Sequence, residues 1–141
     1  MKSYTIHELS IGQSASFTKT ISEFDVYAFA GISGDFNPAH VNKEYAENTR
    51  FKGRIAHGVI AIGLLSGTMA TQLPGPGTIY LGHELKFLKP VYIDDTITAT
   101  ATVKELIPEK NIARFLTECT NQRGETVVTG IATVMPPKEV V

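Results

Sequence analysis

From Gly58 to Gln72 the chain runs GVIAIGLLSGTMATQ without one charged residue. No other stretch restricts the fold as strongly. A helix apolar around most of its circumference is normally buried, so the rest of the chain has to supply the surface that covers it. Ala61, Gly63, Ser66, Gly67 and Ala70 are small and let other backbone approach closely. Leu73-Pro74-Gly75-Pro76-Gly77 then ends the helix.

The segments that follow read as strands. Ile79, Leu81, Leu85 and Phe87 share a period-two face that His83 interrupts. Ile97, Ala99, Ala101 and Val103 alternate with Thr96, Thr98, Thr100 and Thr102. Ala113, Phe115 and Cys119 mark a third strand, and Val127, Ile131 and Met135 a fourth, with turns at Pro108–Asn111 and Gln122–Glu125. Upstream, Ala15–Ile21 reads as a short strand. Ser22 with Asp25 forms a variant of the capping box for a helix over Phe24–Ile32. Asn42 caps a short helix through Asn48. One greasy helix before four antiparallel strands predicts an α+β hot-dog fold, a curved antiparallel sheet wrapped around the central helix on nearly all sides. A ferredoxin-like fold would require amphipathic helices alternating with strands. The 141 residues fit one domain, 1–141.

A net charge of -1 gives no electrostatic footprint for nucleic acid. No apolar run reaches the length of a membrane span, and the N-terminus lacks the apolar region of a signal peptide. The single cysteine rules out an intrachain disulfide framework and suits a reducing compartment, so the expectation is a soluble cytoplasmic protein. The four histidines and one cysteine show no metal-ligand spacing.

Chemistry concentrates in Ser33-Gly34-Asp35-Phe36-Asn37-Pro38-Ala39-His40. Asp and His are common parts of acid–base catalysis. Gly34 lets the backbone turn, and Pro38 pushes Asn37 towards an extended conformation, so plain helix is not expected here. The same octet also suits a helix exit followed by a turn. A second signal, Ile55-Ala56-His57-Gly58, opens the apolar helix.

Together these residues resemble the MaoC-like dehydratases, and most closely the small (R)-specific 2-enoyl-CoA hydratases of the hydratase 2 type. The likeness is carried by Gly34-Asp35-Phe36-Asn37-Pro38-Ala39-His40, Ala46 six residues on, His57-Gly58, Leu73–Gly77 and Tyr80-Leu81-Gly82, and it covers essentially the full chain. Ala39 departs from the Leu, Ile or Val usual in the family and loosens local packing. The resemblance implies a hot-dog homodimer that reversibly hydrates trans-2-enoyl-CoA to (R)-3-hydroxyacyl-CoA, with no metal and no redox cofactor. The thioester substrate is carried on CoA or on acyl carrier protein. Polyhydroxyalkanoate supply, fatty-acid degradation and fermentation all fit such an activity.

Hydration needs an activated water beside Cβ and a stabilised thioester oxygen. Asp35 and His40 suit the first task, with Asp35 expected as base and His40 orienting the water. Asn37 either holds the same water or makes an Asx-turn. The backbone N–H of Gly58, at a helix start, suits the second task; His57 reads as structural. Ile62, Ser66 and Met69 share a helix face at i, i+4, i+7 and are the expected acyl pocket, with Met69 its floor and short chains preferred. Ser66 also fits a core serine, Met69 an ordinary core residue facing the sheet, and His83 a satisfied core or interface histidine. Arg50, Lys52, Arg54, Lys86 and Lys89 are candidates for the CoA phosphates, though Arg50–Arg54 also suits a solvated loop. The competing readings are a hot-dog acyl-CoA thioesterase and a non-catalytic acyl-CoA binding module. Gly58–Gln72 lacks the Asp or Glu that such thioesterases place on or beside this helix.

Overall fold

The computed structural model describes residues 1–140. Five strands form one antiparallel sheet: β1 (Ser14–Thr20), β2 (Ile79–Phe87), β3 (Thr96–Ile107), β4 (Ile112–Thr120) and β5 (Thr126–Met135), in the order β1-β3-β4-β5-β2. Between β1 and β2 come α1 (Glu23–Ser33), α2 (Pro38–Val41), α3 (Lys43–Glu47) and α4 (Gly58–Thr71). Alternation along the strands fixes which residues meet α4. One row, Phe17-Ala99-Cys119-Val128-Phe87, crosses all five strands; the next runs Ala15-Ala101-Thr117-Gly130-Leu85. Small residues occupy the middle of both rows, so α4 can lie close on the sheet. The Cys119 thiol is 3.7 Å from the Ala61 carbonyl. Gly130 is required by a close approach: a Cβ there would sit 2.2 Å from the Glu84 carbonyl oxygen.

Ala61, Leu65, Thr68 and Met69 are the buried positions of α4. Ala61 and Leu65 join Ile21, Val26 and Ile97 in one core cluster, and Met69 joins Leu73, Val103 and Phe115 in a second. The helix is not enclosed on nearly all sides: Val59, Gly63, Gly67 and Ala70 are exposed. A single sheet has one face to offer, and α1 adds Val26 to the buried side of α4 without covering the exposed one.

Two strand readings shift. In β5 the sheet's inner row carries Val128, Gly130, Ala132 and Val134, not Ile131 and Met135. The bulky side chains suggested the wrong parity, because the inner row is set by pairing with Ala113, Phe115, Thr117 and Cys119 of β4 and by the close approach of β2 at Gly130. In β2 an irregularity between Tyr80 and Gly82 breaks the alternation. Tyr80 aligns with Val134 before it, and His83, Leu85 and Phe87 lie on the inner face after it. His83 is satisfied there, bonded to Thr117 at 2.7 Å and to the Tyr80 hydroxyl. Burial lowers the pKa of His83 and raises that of Tyr80.

Candidate active site

The elements that carry the acid–base pair are built as the local sequence requires. Ser22 accepts from the Asp25 N–H, and the Asp25 carboxylate accepts from the Ser22 N–H at 2.8 Å, which starts α1. Gly34, at φ 78°, stops it, donating its N–H to the Ala30 carbonyl at 2.8 Å. The chain therefore turns just before Asp35. Asn37 Oδ1 then accepts from the Ala39 N–H at 3.0 Å and caps α2, with Pro38 at its first position. A helix thus follows where none was expected, because a proline in the first turn lacks only an N–H that would go unpaired anyway. Of the two roles open to Asn37, the cap is the one visible.

Each polar group of the pair has one atom tied and one free. Asp35 Oδ1 accepts from the Asn37 N–H at 3.2 Å. His40 Nδ1 lies 2.7 Å from the Ile55 carbonyl, which can only accept, so Nδ1 carries a proton and, in the neutral imidazole, Nε2 presents a lone pair. Asp35 Oδ2 and His40 Nε2 are left facing each other at 3.8 Å, too far for a direct hydrogen bond. The His40 side chain is 11 % exposed and that of Asp35 50 %. Asp35 is the more exposed of the two, and His40 is the one that lines the neighbouring cavity.

His57 enters the same cluster, although its residue type and place suggested a structural role. Its Nε2–H donates to the Asp35 carbonyl at 2.8 Å, and its ring stacks on His40 with centroids 3.9 Å apart. Asp35, His40 and His57 hold potential metal-ligand atoms within 4.8 Å of one another. The two rings are tilted by 32°, and His57 Nε2, which donates to the Asp35 carbonyl, has no lone pair to offer a metal there.

A cavity of about 380 Å³ opens beside His40 and reaches Gly58, the first residue of α4. Its walls include Phe51, Ile55, Val59, Phe87, Leu88 and Val128. The N–H groups of a helix's first turn have no intrahelical acceptor and sit at the positive end of its dipole. Phe87 packs over this point: a Cβ on Gly58 would fall 2.6 Å from its ring. Sequence reasoning missed Phe87 as a site residue. The available signal was its place at the end of a strand, shortly before Lys89-Pro90.

Of the five cations, Arg50 and Lys89 line the cavity. Lys89 is also paired with Glu125. Arg54 is turned away to Glu23 at 2.6 Å, and that hydrogen bond raises its pKa. Lys52 is exposed off the cavity wall, and Lys86 alternates to the face opposite Phe87. Ile62, Ser66 and Met69 do not line this cavity either. Ile62 and Ser66 are half-buried, and Met69, 1 % exposed, lies in the second core cluster, apart from Ala61 and Leu65 in the first. Spacing on one helix face did not bring these three to the chamber at the helix start.

Comparison with known proteins agrees with this geometry. Residues 7–128 match the family model described as MaoC like domain. An (R)-specific enoyl-CoA hydratase of Rhodospirillum rubrum is 55% identical over 130 residues, 92% of this chain and 90% of that protein. A second protein of that name, from Aeromonas caviae, is 42% identical over 92% of this chain and 96% of its own length. The unliganded structure of the R-hydratase PhaJ1 from Pseudomonas aeruginosa superposes with a TM-score of 0.95 at 45% identity, covering 99% of this chain and 90% of that one. A hot-dog sheet with the Asp35–His40 pair beside the start of its central helix, in a chain matched over most of its length, belongs to the MaoC-like domain family.

Proposed function

We propose that this protein is an (R)-specific enoyl-CoA hydratase, a hydro-lyase that reversibly adds water to short-chain trans-2-enoyl-CoA to give (R)-3-hydroxyacyl-CoA. One observation carries the chemistry: two free acceptor atoms, Asp35 Oδ2 and His40 Nε2, face each other at 3.8 Å beside a cavity that ends on the first turn of α4. A water between them donates to both and turns a lone pair towards Cβ. Asp35 takes one proton as the water oxygen bonds to Cβ, while His40, in its Nδ1–H form, keeps the water oriented. Electron density moves onto the thioester oxygen, which the Gly58 N–H receives. The enolate then collapses as Asp35 returns the proton to Cα. One water is added and nothing is oxidised or reduced, so the step needs no redox cofactor; in this reading the Gly58 N–H polarises the thioester oxygen and the Asp35–His40 pair activates the water.

CoA is the carrier in this reading, since the relatives at 55% and 42% identity are named as enoyl-CoA hydratases. Arg50 and Lys89, on the cavity wall, suit its phosphates. The acyl chain occupies the apolar part of the cavity, walled by Phe51, Ile55, Val59 and Phe87, and short chains are preferred. The protein works as a homodimer: β2 is an edge strand, and Ile79, Leu81, Phe87 and Leu88 lie about half exposed along it. No described helix is long and apolar enough to cross a membrane. The single cysteine leaves no intrachain disulfide to form, which suits a reducing cytoplasm. The Aeromonas structure is described as a hydratase involved in PHA biosynthesis, and (R)-3-hydroxyacyl-CoA made here would serve the same use.

The test is to add crotonyl-CoA, follow loss of the enoyl absorbance and assign the product's configuration. The expected product is (R)-3-hydroxybutyryl-CoA. Free thiol without hydration would point instead to a thioesterase, and an (S) product would overturn the stereochemical assignment.

A further inference from the structure

The two halves of this site, the pair that holds water and the N–H that receives the thioester oxygen, meet in a single residue. We propose that His57 is a positioning residue that fixes the distance between them. The inference rests on the hydratase reading above. The His57 backbone and ring face different tasks. Its carbonyl accepts the Ile60 N–H at 3.0 Å, which starts α4 with Gly58 as the next residue. Its ring reaches back 22 residues to donate Nε2–H to the Asp35 carbonyl at 2.8 Å. One neighbour, His40, stacks on that ring at 3.9 Å; another, Phe29, lies at 4.8 Å. The imidazole therefore holds the backbone of Asp35 and buttresses the ring of His40, while the backbone of the same residue leads directly into the Gly58 N–H.

The ring is also costlier than packing alone would require. His57 is 3 % exposed, and its Nδ1 has no hydrogen-bond partner among the described residues. Buried polar atoms are normally paired, so an orphan calls for a reason. Phenylalanine would fill a similar space without the orphan, but it could not donate to Asp35. The substrate explains why that bond matters. Conjugation holds Cβ and the thioester oxygen in one rigid frame, so water and oxyanion donor have to be correctly placed together. A misplacement of about 1 Å can cost ~100-fold in rate.

Two variants separate the ring from the hydrogen bond. His57→Phe keeps an aromatic face against His40 and loses the donor; His57→Gln keeps an amide N–H near the position of Nε2. With crotonyl-CoA, His57→Phe should lose about 100-fold in kcat with KM changed by less than about threefold, and His57→Gln should recover to within about tenfold of wild type. An unchanged kcat in His57→Phe, a loss confined to KM, or no recovery in His57→Gln would overturn the inference while leaving an active wild type as a hydratase. An inactive wild type would instead remove the hydratase reading, and this inference with it. A measurement on the unaltered protein guards against a variant that does not fold: long-range proton–nitrogen NMR of the imidazoles should find the proton on Nε2 in His57 and on Nδ1 in His40. The opposite tautomer at His57 would break the proposed tie to Asp35.

Discussion

Asp35→Asn and His40→Gln each remove one of the two free acceptors that face each other at 3.8 Å. Either should lower kcat for crotonyl-CoA hydration by ~10²–10⁴-fold, the usual cost of losing a positioned acid or base. Circular dichroism should show both variants folded, since neither change touches the sheet. Near wild-type turnover in a folded variant would remove that residue from the mechanism. Gly58→Ala tests the other half of the site. Its new Cβ would lie 2.6 Å from the Phe87 ring, which is half exposed and free to swing outwards. Stability should change little, while kcat falls by ~10²-fold because the thioester no longer reaches its donor undisturbed. A large fall in melting temperature with normal kcat would contradict this.

Within single elements, packing and charge give separate tests. Met69 sits on α4 among Leu73, Val103 and Phe115. Truncating such a residue costs about 2–5 kcal/mol, so Met69→Ala should unfold at clearly lower urea. If the vacated space admits two more substrate methylenes at about 0.8 kcal/mol each, octenoyl-CoA gains roughly fifteen-fold in kcat/KM relative to crotonyl-CoA. An unchanged length profile would leave Met69 as core and nothing more. At the start of β5, Glu125 is held at about 2 instead of 4.5 by hydrogen bonds from Lys89 first, then Asn121 and Arg123. A carboxylate with a lowered pKa stabilises the fold fully above its ordinary value and loses that contribution as pH falls through the lowered one. Glu125→Gln should therefore be less stable than wild type near neutral pH, and the gap should close between about pH 4.5 and 2. It should also narrow in high salt, because the site is exposed. Urea midpoints across that range would reveal a constant gap if the pairing contributes nothing.

For the whole molecule, the open side of α4 and the open edge of β2 call for the same partner. Val59, Gly63, Gly67 and Ala70 on the helix, and Ile79, Leu81, Phe87 and Leu88 on and just after the strand, are exposed in one chain. An edge strand with apolar side chains is a template for pairing, and a second copy about a two-fold axis closes it without leaving a new edge. Sedimentation should find a dimer; a stable monomer would show that this surface tolerates water. A charge placed at Leu81, on the bulged stretch of the edge, should weaken the dimer while leaving the Asp35–His40 spacing intact.

Local rules were sufficient for much of this protein. The capping box at Ser22, the stop at Gly34, the cap at Asn42 and the limits of α4 follow from residues within a few positions of each other, and the sequence alone determined them. The Asp35–His40 pair was legible for the same reason, since a separation of five residues with Asn37-Pro38 between leaves few ways to separate two side chains. Parity in β5 was not legible, because Ile131 and Met135 look like core until pairing with β4 and the close approach of β2 put Gly130 and Ala132 on the inner row. Nor was the service of His57 to Asp35, a bond across 22 residues, or the seat of Phe87 over Gly58. The division between Arg50 and Lys89 on the cavity and Lys86 off it also waited for the fold. Each of these depends on contacts between segments distant in the chain, whose distances are set by how α4 settles on the sheet, and neither composition nor spacing records that.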